Sequence, residues 1–209
     1  MDVAKTFDPY EVIGVITPGA VMAMMMAVQW PAFRTLLGAE GLSLGGLGMF
    51  LLAAFVIGHL IQALGNLIEG LFWLLPGMPS AWVRNPRQRL LSPAQRALLQ
   101  SRVAAMESGV TDLAQVKRRA WRGVTGRIYS QVHAAGRAGR MDVCNRTYGL
   151  SRGLAAAFLA SAGWLAWEAQ GWTPEVGLAL ALTIVALYRM ARSGAHYART
   201  LYLAFIDLP

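Results

Sequence analysis

Four polar side chains, His59, Gln62, Asn66 and Glu69, stand inside an otherwise apolar run from Gly48 to Leu75. Their intervals of three, four and three residues place them on one side of a helix, because a 3.6-residue turn returns to the same face at i+3, i+4 and i+7. An imidazole, two amides and a carboxylate in such a row are a proton path, the lining of a water-filled conduit, or hydrogen-bonding glue between helices. An ionisable group facing lipid costs at least about 2.5 kcal/mol, so the seam is expected to face protein or water.

Two later stretches carry polar residues at similar intervals. Asp142, Asn145, Gly149 and Arg152 form one, and Arg189, Arg192, His196 and Arg199 the other. Pairing Glu69 with Arg152 or Arg189 would neutralise charges that are costly alone. Such a pair is a structural clamp if permanent and a gate if a ligand or partner opens it. No Walker A, H-E-x-x-H or G-x-G-x-x-G motif occurs, so no cofactor is expected. The single Cys144 cannot form an internal disulfide, and no Cys/His cluster offers zinc ligands, so no metal is expected either.

Composition sets the class of protein that must position these groups. Hydrophobic residues make up 56% of the 209 and charged residues only 14%, outside the range of soluble domains. The fold expected is an all-α integral membrane protein, with four transmembrane segments in two hairpins and an inserted helical cytoplasmic domain. Residues 1–76 form the first hairpin, 77–149 the basic domain, and 150–209 the second hairpin with a cytoplasmic C-terminal helix. Pro18-Gly19 predicts a kink in the first segment and close approach of a neighbouring helix. Gly149, Gly153, Ala157 and Ser161, every fourth residue, form a small-residue ridge of the kind that packs membrane helices backbone to backbone. That ridge predicts a homo-oligomer.

The central region holds 13 of the 19 Lys and Arg against three acids. Ser92-Pro93-Ala94-Gln95 reads as a capping box opening a helix, and Thr173-Pro174-Glu175 as a second helix start. Arg118, Arg119, Trp121, Arg122, Arg127 and Tyr129 mix charge with stacking surface, which suits RNA or the anionic surface of a bilayer. Only Arg34 falls in a segment that four crossings place outside, whereas Lys5 and the other cations fall on the opposite side. The positive-inside rule then sets both termini and the central region on the cytoplasmic side.

Arg189 and His196 enclose six residues, MARSGA. This R-x6-H spacing resembles the active-site signature of the HEPN superfamily, and the chain resembles small multi-span membrane effectors of bacterial antiviral defence, including HEPN-like membrane accessory proteins of type VI-B CRISPR systems. The first resemblance implies RNA cleavage with Arg189 and His196 as catalytic candidates. The second implies an oligomeric effector that forms a pore or perturbs the membrane when a cytoplasmic protein, nucleotide or RNA signals to it. A transporter-like or scaffold subunit is the third expectation.

Overall fold

The structure, a computed structural model, describes residues 9–36, 44–107 and 110–209. Lys5 and the middle of the first linker lie outside them. Among the described residues every regular element is helical and there is no strand. In chain order these are α1 (Pro9–Gln29), α2 (Pro31–Leu36), α3 (Leu44–Phe72), α4 (Pro79–Trp82), α5 (Pro93–Met106), a 3-10 turn (Leu113–Gln115), α6 (Arg118–Ala134), α7 (Gly139–Glu168) and α8 (Pro174–Ile206).

Four segments were expected to cross a membrane; among the described residues two helices are long and apolar enough, Gly45–Phe72 and Pro174–Ile206. Ile13–Gln29 is a shorter apolar helix. The expected third segment is the far half of α7, one unbroken 30-residue helix whose first half is polar and carries Asp142, Arg146 and Arg152.

The chain divides into two compact units, Met1–Phe72 with Arg146–Met190, and Trp73–Asn145 with Ala191–Pro209. In the first, α1 and α3 touch backbone to backbone. A Cβ added at Gly19 would lie 1.8 Å from the Ala54 carbonyl oxygen, and one at Gly58 would lie 2.2 Å from that of Val15. Only glycine permits that approach. Ala23 and Ala54, fully buried, extend the contact, and α1 continues as helix through Pro18.

The second unit has a core of its own, built from Leu99 and Val103 of α5, Trp121, Val124, Ile128 and Val132 of α6, Met141 of α7, and Ala198, Leu201, Tyr202, Phe205 and Ile206 of α8. Ser92 and Gln95 close a reciprocal capping box at the start of α5, and Asp112 caps the 3-10 turn. Gly136, at φ +71°, ends α6 in the left-handed conformation, which lets Arg137 N–H reach back to the Val132 carbonyl. Two arginines cap the far end of α8: Arg102 donates to the carbonyls of Phe205 and Leu208 at 3.4 and 2.6 Å, and Arg137 to that of Asp207 at 2.7 Å.

Residues 191–209, which hold the expected cytoplasmic C-terminal helix, group by their contacts with residues 73–145. The reason lies in spacing, since residues 198, 201, 202, 205 and 206 form an i, i+3, i+4, i+7, i+8 apolar stripe. Gly194, buried within α8, does not interrupt the helix.

Candidate functional site

Within the first unit a single hydrogen-bonded network ties α1, α3 and α7 together. Gln62 donates its amide to the Gly14 carbonyl of α1 at 2.8 Å and, more weakly, to the Gly149 carbonyl of α7 at 3.4 Å. Its side-chain oxygen accepts from Arg152 Nη2 at 3.2 Å. Arg152 Nη1 meets Glu69 Oε2 at 2.7 Å, and Tyr148 Oη donates to Glu69 Oε1 at 2.7 Å. Both charged side chains are largely withdrawn from solvent, Arg152 to 22% and Glu69 to 18% exposure. At that burial the pair attracts strongly, because the effective dielectric is well below that of water.

Local geometry explains why these groups converge. On a helix, Gln62 and Glu69 are two turns apart and share one line, while His59 and Asn66 share a second line about 60° away, since each residue advances about 100°. The first line faces α7 and is half-buried. His59 and Asn66 are exposed, His59 with its ring edge-on to Phe55 at 4.7 Å. The row of four is therefore two rows of two with different surroundings. Gly65 lies between Gln62 and Glu69, and a Cβ there would stand 3.2 Å from Arg152 Cγ, so the glycine makes room for the arginine stem. Neither Gly65 nor Tyr148 was read from the sequence as part of this cluster. The available signal was spacing, because Tyr148 precedes Arg152 by one turn and Gly65 follows Gln62 by one.

The small-residue ridge is covered by its own unit. A Cβ added at Gly153 would lie 2.6 Å from Gln62 Nε2 and 2.7 Å from Pro18 Cγ. Ala157, fully buried, packs in a cluster with Ile61 and Ala156, and Ser161 Oγ lies 3.9 Å from Met22 Sδ. Gly153, Ala157 and Ser161 thus pack α7 against α1 and α3, and they are not open to a second copy of the chain. Gly149 contributes the carbonyl that Gln62 reaches.

Of the other residues singled out, Asp142, Asn145, Arg192, His196 and Arg199 belong to the second unit and Arg189 to the first. Arg189, Arg192, His196 and Arg199 are all exposed on α8, and Arg192 Nε reaches His196 Nε2 at 3.4 Å. Glu69 takes Arg152 as its partner. Trp121, read as stacking surface for RNA, is 1% exposed and donates its indole N–H to the Ser80 carbonyl at 2.7 Å. Arg127 is engaged with Glu107 at 2.8 Å. Among the described residues no three His, Cys, Asp or Glu side chains gather as a metal site requires.

The network holds an acid and a base in fixed register across three helices. Comparison with protein-family models, curated proteins and solved structures finds no match for the chain.

Proposed function

We propose that the chain is a bacterial inner-membrane effector which changes the permeability of its membrane in response to a cytoplasmic signal, with Glu69–Arg152 as the latch. One observation carries this reading: a carboxylate–guanidinium pair at 2.7 Å, braced by Gln62 and Tyr148 and largely withdrawn from solvent. Ionisable groups at membrane depth are rare because they are costly, and they mark conducting paths, relays and gates. The exposed faces of α3 support the same reading. Leu60, Leu67 and Leu71 are between 67% and 73% exposed, as suits lipid, and the neighbouring His59 and Asn66 line offers polar lining to a homo-oligomer. The four-crossing topology, with both termini inside, remains part of the proposal.

The test is dye release from liposomes reconstituted with the protein. Glu69→Gln removes the latch charge while keeping the side-chain shape, and release several-fold above that of the unaltered chain is expected. Release at the unaltered level from a correctly inserted variant would make the pair a permanent clamp and retire the latch. A competing reading, RNA cleavage with Arg189 and His196, is supported by the exposure of both side chains on α8. It predicts ribonuclease activity of the purified protein that His196→Ala abolishes.

A further inference from the structure

A second site lies in the basic unit, beside α6. Met78, Ser80, Arg118, Trp121, Arg122 and Thr125 line a cavity of about 390 Å³. Arg118 and Arg122, one turn apart on α6, stand on the same face of the helix. Like charges at that spacing repel, no acid lines the cavity, and among the described residues neither arginine has an ion-pair partner. Thr125 lies on the same side of α6, its hydroxyl oxygen shut off from solvent beside Tyr202.

We propose that this cavity binds a phosphate monoester carried on a small organic body. Two guanidinium forks supply more donors than a carboxylate's two oxygens need, and they match the three terminal oxygens of a monoester. The volume exceeds what a bare phosphate fills and sits at the small end of ligand cavities, which run from roughly 300 to 1,000 Å³. Met78 and Ala81 offer apolar surface to the organic body, packed on the core that holds the buried Trp121. Trp121 is held in place by its bond to the Ser80 carbonyl, which also accepts from Tyr202 Oη, so that surface exists before a ligand arrives and little binding energy is lost in ordering it.

The phosphate is supplied either by a soluble nucleotide or by the headgroup of an anionic lipid, and the experiment separates these. The whole protein, in nanodiscs of phosphatidylcholine, is titrated by calorimetry with inorganic phosphate and with AMP; a parallel preparation contains phosphatidic acid. Saturable one-site binding of AMP, tighter than that of inorganic phosphate, is expected. If phosphatidic acid suppresses AMP binding, the lipid headgroup occupies the same site; if it does not, the ligand is soluble. Arg118→Gln with Arg122→Gln should weaken binding roughly tenfold or more, as loss of charge-assisted bonds does. Both side chains are exposed, so the unliganded melting midpoint should hold. Absence of saturable binding to phosphate, AMP and phosphatidic acid alike, or binding that the double arginine change leaves intact, would overturn the proposal. The readout is binding and not permeability, so it succeeds or fails independently of the latch.

Discussion

Consider the Glu69–Arg152 pair as a thermodynamic cycle. Breaking a fully buried ion pair by removing one partner costs about 3–5 kcal/mol, because the other charge is left uncompensated. Here the two side chains keep 22% and 18% of their exposure, and residual water reduces that penalty. About 2 kcal/mol is then expected for either Glu69→Gln or Arg152→Met alone. The double variant leaves no orphan charge. The glutamine amide oxygen introduced at position 69 still accepts from Tyr148, and the loss falls to the bond between Arg152 and Gln62, about 1 kcal/mol. Simple addition of the single effects would give about 4 kcal/mol, so the coupling is about 3 kcal/mol in favour of the pair. Unfolding followed by tryptophan fluorescence in mild detergent would show it: midpoints about 4–8 °C lower for each single variant, with most of that loss recovered in the double. Additive effects, or single changes below about 0.5 kcal/mol, would mean that the charges are solvated in the folded protein and do not depend on one another.

Two other expectations follow from packing and burial. Gly58→Ala drives a methyl into the Val15 carbonyl, backbone against backbone, and should cost about 3 kcal/mol or more; Gly70→Ala, on the same helix with nothing within 4 Å, should raise the melting midpoint slightly through helix propensity, and equal effects at both sites would refute the close α1–α3 contact. Burial raises the Cys144 thiol above its ordinary value, with Arg140 opposing in part, so the folded state favours the neutral thiol, a stabilisation present at low pH and lost as pH rises through the raised value. Iodoacetamide labelling of the folded protein, followed by mass spectrometry, should therefore still be accelerating at a pH where the unfolded chain has levelled off, and superimposable profiles would contradict the burial.

Local chemistry was legible in the sequence, and long-range covering was not. Ser92 with Gln95, and Thr173 followed by Pro174, mark helix starts because a cap involves only residues within one turn. The all-helical class followed from the absence of period-two patterning. Spacing put His59, Gln62, Asn66 and Glu69 on one side of α3, yet spacing alone does not say where one facing helix ends. The angle of about 60° between the two lines decides that Gln62 and Glu69 meet α7 while His59 and Asn66 do not. The ridge on α7 was visible as a pattern, but a stripe of small residues suits an intramolecular neighbour as well as a second copy. Trp121 among arginines looks like a stacking platform until Ser80 and Tyr202, distant in sequence, close over it. Residues 191–206 read as a cytoplasmic helix continuing from the fourth apolar segment, with no packing partner visible. Their stripe acquires meaning only with α5 and α6 in place.

That stripe also sets a timetable. The core that Leu99, Val103, Trp121 and Ile128 begin is completed by Leu201, Tyr202 and Phe205, which the ribosome adds roughly sixty residues after the end of the 73–145 segment. At about 5–20 residues per second, the basic region waits about 3–12 seconds with part of its core uncovered. Over the same interval α7 and the first half of α8 are made, so the hydrophobic unit has all its helices before the basic one can close. A premature stop anywhere upstream of Leu201 would leave the arginine-rich region without the side chains that complete its core. The helix α8 thus acts as a check on synthesis, coupling maturation of the basic unit to production of every segment that precedes it.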